Sequence, residues 1–411
     1  NNRLSHSGTR QEPASVTTLS TLPNFPASAR RGFLRSGFLS IAFIISAFSA
    51  PLARAQDIPA DIVTSAMPLN AAQKETVTAF ATPLLESLKG DDANKIRDAR
   101  QALVRPLQRA GTVVGVPFRQ AYSQVLGQPL AALAEDKRPL NAINAMRIGA
   151  ELATAEGFDI IEKGFKSPLV PVRVAAAGAA SRAFVVASGA AAAVVPKRLF
   201  DATTQLGKML EDPDPAVVDA AARALVKAME TARQAEVRSG AVIALAKGIS
   251  ARATKVNKEL PDSQILDAFR RTALALREDL TKVQNDRPNL SAEALRSVQE
   301  VGGDLIAMVV RLISSNALPP TRQADNAAER KEKLALRDAP SQIVGASEQI
   351  LSLIADKTEP IRTNFAEQVR RATIDSDAEF VLDVKKLIGP GGRLTRAPFN
   401  LPNDRFNLVA K

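Results

Sequence analysis

The side chains best able to do chemistry in this chain are carboxylates. Glu211, Asp212 and Asp214 cluster in the run EDPDP, and Asp375 and Asp377 form a second group. Converging carboxylates can move protons in a hydrolase or lyase, or hold calcium. Neither group carries a D-x-D-x-D-G loop, however, and acids beside Pro213 and Pro215 are well placed to accept from the free N–H groups that open a helix. Capping is therefore the expected role. The other usual machinery is absent. The single histidine, His6, lies ahead of an apolar segment, and there is no cysteine. Beyond position 6 this excludes Ser-His-Asp and Cys-His catalysis, the common zinc sites and disulfides. No Ser is followed three residues later by Lys, and GPGG at 389–392 lacks the Gly-Lys-Ser/Thr ending of a phosphate loop. Tyr122, the one tyrosine, is expected to be packed. No catalytic residue, cofactor or metal is assigned.

The elements around these residues read as helices. Residues 206–229, LGKMLEDPDPAVVDAAARALVKAM, describe two helices folded back across an Asp-Pro-Asp-Pro turn. Leu199, Leu206 and Leu210 share one face before the turn. Pro213 and Pro215 stop the helix, because each lacks an N–H and disfavours the α region for the residue before it. After the turn Val217, Ala221, Leu225 and Ala228 recur at helical spacing. This mostly alanine stripe allows close approach of a neighbour, and such a pair needs others stacked on both sides. No alternating β-branched run competes with this reading.

The leucines, the Asp-Pro turn, the Val and the Ala-Ala-x-Ala-Leu run together resemble a HEAT repeat. Related half-motifs are DDANKIRDARQAL (91–103), SPLVPVRVAAAGAA (167–180), QAEVRSGAVIAL (234–245) and DKTEPIRTNFAEQV (356–369), with RPLNAINAMRIGAEL (138–152) more distant. The resemblance implies an all-α fold, an armadillo-like α-solenoid of stacked helical hairpins forming a superhelix. It also implies a ladder in which an Arg near the start of each second helix meets an Asp of a turn. Arg97, Arg173, Arg238 and Arg362 fit the Arg place, and Asp91, Asp92 and Asp356 fit the Asp place. The best copy departs from the pattern with Val218 in the Arg place. The resemblance covers most of residues 70–375 and is specific near 206–229.

A second resemblance concerns export. Arg30-Arg31-Gly-Phe33-Leu34-Arg35 precedes an uncharged apolar run at 36–53, which closes on Ala53-Arg54-Ala55. The order of basic region, apolar region and A-x-A site is that of a signal peptide. RRGFLR is similar to the twin-arginine export motif, which implies cleavage after Ala55 and a periplasmic or extracellular protein. The alternative is a retained anchor in a membrane-tethered structural envelope protein. Six arginines and one glutamate lie in residues 1–55, so the net charge of +11 falls to +6 beyond them. That modest excess, with no Trp and one Tyr, disfavours a nucleic-acid partner.

The expected organisation is a disordered extension (1–29), a signal peptide (30–55), an N-terminal arm (56–69) and helical repeats (70–317). A charged hinge or exposed helix (318–341), C-terminal helical repeats (342–388) and a basic flexible tail (389–411) follow. Helix breaks are expected at Gly90, Gly111–Pro117, Gly127–Pro129, Arg138–Pro139, Ser167–Pro171 and Pro261–Asp262. The expected function is non-enzymatic: binding of another protein or an envelope component across an extended surface formed by the second helices. A hydrolase or lyase using only carboxylates is the alternative from another class.

Overall fold

The computed structural model describes residues 57–108, 113–189, 192–282, 289–321, 326–355, 361 and 363–409. The export residues Arg30, Arg31, Phe33, Leu34, Ala53 and Ala55 lie outside these, as do Asp356 and Arg362. The described residues are helical with short connections. A short α1 (Ala60–Val63) is followed by α2 (Ala71–Leu88), α3 (Ala93–Val104), α4 (Val116–Ala134), α5 (Pro139–Leu152), α6 (Ala155–Phe165) and α7 (Val170–Ala187). Then come α8 (Pro196–Met209), α9 (Pro215–Thr231), α10 (Ala235–Ala253), α11 (Ser263–Lys282), α12 (Ala292–Ser314), α13 (Ala327–Ile354), α14 (Phe365–Arg371) and α15 (Ile374–Ile388).

Two layers result. Helices α2, α4, α6, α8, α10 and α12 pack each on the next, and α3, α5, α7, α9, α11 and α13 do the same. Each even helix also packs on the odd helix that follows it. The protein is an all-α solenoid of helical hairpins. Its core is aliphatic and small, as the alanine stripes required: Val217, Ala221, Leu225 and Ala228 of α9 are fully buried. Ala176, Ala177 and Ala180 on α7 are fully buried too, and the two helices pack directly together. Small side chains bring the backbones close, so dispersion contacts accumulate without bulky groups.

Local chemistry sets the helix starts. The Asn70 side chain accepts from the Gln73 N–H at 2.9 Å, while Gln73 accepts from the Asn70 N–H at 3.0 Å, a reciprocal capping box. Asp214 accepts from the Ala216 N–H at 2.9 Å, with Pro215 at the first position of α9. Ser291 caps α12 through the Ala294 N–H at 3.2 Å.

Several expectations are corrected. No break occurs at Gly127–Pro129, since α4 runs through Pro129. Leu126 and Leu130 on either side are both fully buried, and their burial offsets the one backbone bond a proline removes. Pro340 is likewise inside α13, which crosses the boundary expected between 341 and 342 because Arg337, Ser341 and Val344 are all buried. The half-motif 234–245 was expected to be a second helix. It forms α10, which packs on α8 and α12 in the first-helix layer. Only residues 232–234 separate α9 from α10, so the chain reverses at once and the next helix falls in the other layer.

The tail is not free either. Leu394, Phe399, Leu401 and Phe406 are buried. Phe406 covers Gly303 so closely that a Cβ there would lie 2.3 Å from the ring, which accounts for that glycine in α12. Arg405 holds Asp304 with two bonds of 2.9 and 2.7 Å, and Arg311 donates to the Asn407 carbonyl. Burial holds the Asp304 carboxyl above the ordinary carboxylate range, with Arg405 opposing the shift. The segment 57–69 is anchored as well, through buried Ile58, Ile62, Val63 and Leu69.

Candidate functional site

Of the carboxylates expected to cap, Asp214 caps α9, whereas Asp212 and Asp377 are held by arginine and α15 is capped by Thr373 instead. Asp212 accepts two bonds from Arg173 of α7, at 2.8 and 3.1 Å, forming a ladder rung from one repeat to the next turn. Asp377 is held the same way by Arg337, at 2.6 and 2.8 Å. The other ladder positions differ from the family pattern. Arg97 meets its neighbour Asp98 at an exposed site, and Asp91 is engaged by Arg138 at 2.7 Å. Asp92 caps α3. Arg238 is buried between α10 and α11, where it pairs with Asp279 of the helix rather than with a turn, at 2.7 Å. Val218, in the Arg place of the best copy, is fully buried, so an arginine has no room there. Pro213 remains in the α8–α9 turn. Tyr122 is buried, donates to the Leu103 carbonyl at 2.8 Å, and has its pKa pushed up by burial. Among the described residues no group of three or more acids or histidines converges as a metal site.

Asp219 departs from expectation. Two residues beyond Val217, it should lie off the buried stripe and face water. It is 7% exposed and takes Arg223 of its own helix and Arg271 of α11, the latter at 3.3 Å. An odd helix is flanked by odd neighbours on both sides as well as by the even layer, so more than one of its faces is covered.

One hollow of 730 Å³ opens on the even layer between α6 and α8, beside Glu162, Phe165 and Lys208, and further open space lies along the face of the odd helices. A hollow of 820 Å³ spans α3, α5 and α7. Its floor is small: Ala150, Ala175, Gly178 and Ala179. A Cβ placed on Gly178 would meet no atom within 4 Å. Its walls carry Arg100, Arg147 and Arg182, one from each helix, with Arg105 at the edge. The folding logic is plain for α3, where Ile96, Ala99 and Leu103 are buried and Arg100 falls beside that stripe, at the rim. Arg182 is held by Glu151 with bonds of 2.7 and 3.0 Å, which raises its pKa further above the usual value despite desolvation. Arg100 and Arg147 have no acidic partner among the described residues. The Arg100 pKa is lowered by burial first, and then by the like charges of Arg147 and Arg97. Its Nε is buried without a hydrogen-bond partner.

The same face continues. A second hollow of 640 Å³ lies across α7, α9 and α11, with Arg223, Lys227, Arg270 and Arg271 against Glu230 and Glu278 over a floor of Val226, Leu274 and Ala275. A third, of 450 Å³, joins α11 to α13 beside Arg277, whose guanidinium meets Gln349 at 3.1 Å, and Leu353. Sequence reasoning missed this row. Its members sit in separate helices, and the only local signal is an arginine next to small residues on the rim of an alanine stripe.

No family model and no curated protein matches the chain. Among solved structures, an engineered protein determined by crystallography is 17% identical, covering 66% of this chain and 97% of its own, with a TM-score of 0.35. A designed armadillo repeat protein in complex with a (KR)4 peptide is 16% identical over 62% of this chain and 98% of its own, with a TM-score of 0.31. A second engineered protein is 18% identical over 76% and 81%, with a TM-score of 0.29. At these TM-scores the fold assignment rests on the helix order and layering above, not on the likeness. Among the described residues α7 is the one helix long and apolar enough to cross a membrane, with mean hydropathy 1.4. It packs against α5, α6 and α9.

Proposed function

We propose that the protein is a non-enzymatic helical-repeat scaffold that binds an extended segment of a partner protein along the face of its odd-numbered helices. The observation that carries this reading is the run of three hollows, the first floored by alanine and glycine, that follow one another from α3 to α13. A stack of hairpins supplies a long shallow surface rather than a deep pocket, and affinity on such a surface is spread over several repeats. Photo-crosslinking tests it: a crosslinker at Gln101, Ser181 or Gln349 should trap one partner repeatedly. A crosslinker at Lys208 on the even layer should not. Adducts from Lys208 alone would move the binding surface to the other layer.

The same reading makes it an exported protein. It is supported by the arginine pair Arg30-Arg31 with Phe33-Leu34, the apolar run and the Ala53-Arg54-Ala55 site. Replacing both arginines by Lys keeps the charge and removes the motif, so the precursor should accumulate inside the cell. Normal export of that variant would favour the general secretory route.

A further inference from the structure

We propose that the hollow between α3, α5 and α7 is a carboxylate-reading site that selects partner segments rich in Asp and Glu; this rests on the binding face proposed above. Arg100, Arg147 and Arg182 converge on it from three helices, and the one acid in its lining, Glu151, is already engaged by Arg182. That pair shows how the wall holds a carboxylate: the fork of Arg182 takes both oxygens, at 2.7 and 3.0 Å. Two further forks, Arg100 and Arg147, have no carboxylate. They stand close enough for each other's charge to matter, and Arg100 also has a buried Nε without a partner. Crowding like charges at a partly desolvated site is unfavourable in the free protein, and an incoming carboxylate relieves it.

The lining also decides between classes of anion. No aromatic side chain lines any of the three hollows, so there is no platform on which bases or sugar rings could stack. Glu230 and Glu278 are interspersed along the same face, which a uniformly charged phosphate polymer would meet with repulsion. A polypeptide with spaced acids avoids them, and its backbone fits over the alanine and glycine floor.

The test uses the full chain and a fluorescent peptide of alternating Glu and Ser, with a Lys-Ser peptide and inorganic polyphosphate as comparisons. Fluorescence anisotropy at low salt should show binding of the Glu-Ser peptide and none of the Lys-Ser peptide. Arg100→Gln with Arg147→Gln should weaken it by about a hundredfold, at about tenfold for each charged hydrogen-bonding partner lost. Melting should be unchanged or higher, because two crowded cations are gone. Gly178→Leu, which fills open space, should block binding. Gly178→Ala should spare it and raise the melting temperature. Loss of binding with Gly178→Leu but not with the arginine variants would keep the groove and overturn the carboxylate reading. Binding untouched by all of these variants would overturn both the groove and the site. Tighter, arginine-dependent binding of polyphosphate, or no binding of the Glu-Ser peptide to the folded protein, would overturn the acidic-peptide assignment.

Discussion

Arg238 and Asp279 give the sharpest test of how the two layers are held together. Arg238 of α10 meets Asp279 of α11 at 2.7 and 3.2 Å, and the side chains are 1% and 2% exposed. Arg238→Met retains much of the apolar stem and removes the guanidinium that grips the buried Asp279 carboxylate. Removing one partner of such a pair costs about 3–5 kcal/mol, where an exposed pair is worth about 1 kcal/mol or less. Lys247–Glu293, with side chains 57% and 62% exposed, provides the exposed comparison. Asp279→Leu should cost a similar amount, by stranding the guanidinium instead. The double variant replaces both charges with apolar groups and should return to within about 1 kcal/mol of the parent. Global unfolding curves are ambiguous for a repeat array, so the measurement is hydrogen exchange resolved by helix, supported by urea melts. Protection should fall first in α10 and α11, by two to three and a half decades at about 1.4 kcal/mol per tenfold. A double variant as damaged as the sum of the two singles would refute the reasoning, because the charges would then not be compensating one another.

Ala221→Glu should unfold the middle of the stack at a cost of several kcal/mol, since Ala221 is fully buried on α9; a urea midpoint equal to the parent's would misplace the stripe. Asp219→Ala, on the same helix, should cost about 1–3 kcal/mol in the same melts, because it removes the acceptor for Arg223 and Arg271. The Asp92 carboxyl is held below its ordinary pKa by the N–H groups of Lys95 and Asn94. The stability it gives α3 is present above the unfolded pKa and is lost as pH falls through the lower folded value, which an NMR titration of Asp92 against an Asp92→Asn control should show. Phe406→Ala should loosen the tail from Gly303 and speed tryptic cleavage after Arg393 and Arg405, with little change in the protection of α3 to α9.

What could be read from the sequence was local. A proline after an acid stops one helix and starts another within four residues, and a 3.6-residue period marks the buried face, so the pair around Pro213 was visible without tertiary information. Layer membership is not local. The half-motif 234–245 has the same apolar and arginine pattern as 167–180, yet one lies in the even layer and the other in the odd. The difference is set by how many helices precede it, and one short connection changes that count. Pro129 failed as a break, and the boundary after position 341 failed too, for a related reason: the burial of Leu126, Leu130, Ser341 and Val344 depends on neighbouring helices that the segment itself does not reveal.

Carboxylates are the sequence's most obvious candidates for chemistry, and in the packed structure many of them are already engaged. Asp212, Asp219, Asp279, Asp304 and Asp377 are each held by an arginine. A carboxylate whose oxygens are already taken by a guanidinium is poorly placed to accept a proton from a substrate. In the hollow between α3, α5 and α7 the charged groups left without an acidic partner are Arg100 and Arg147. Arg100 and Arg147 become neighbours only because Ala99, Ala150 and Ala179 let α3, α5 and α7 pack side by side. Larger residues on those seams would spread the helices and separate the charges. The alanines that look like featureless filler in the sequence therefore determine where the cations meet, and the proposed binding face follows from the packing rule rather than from a motif.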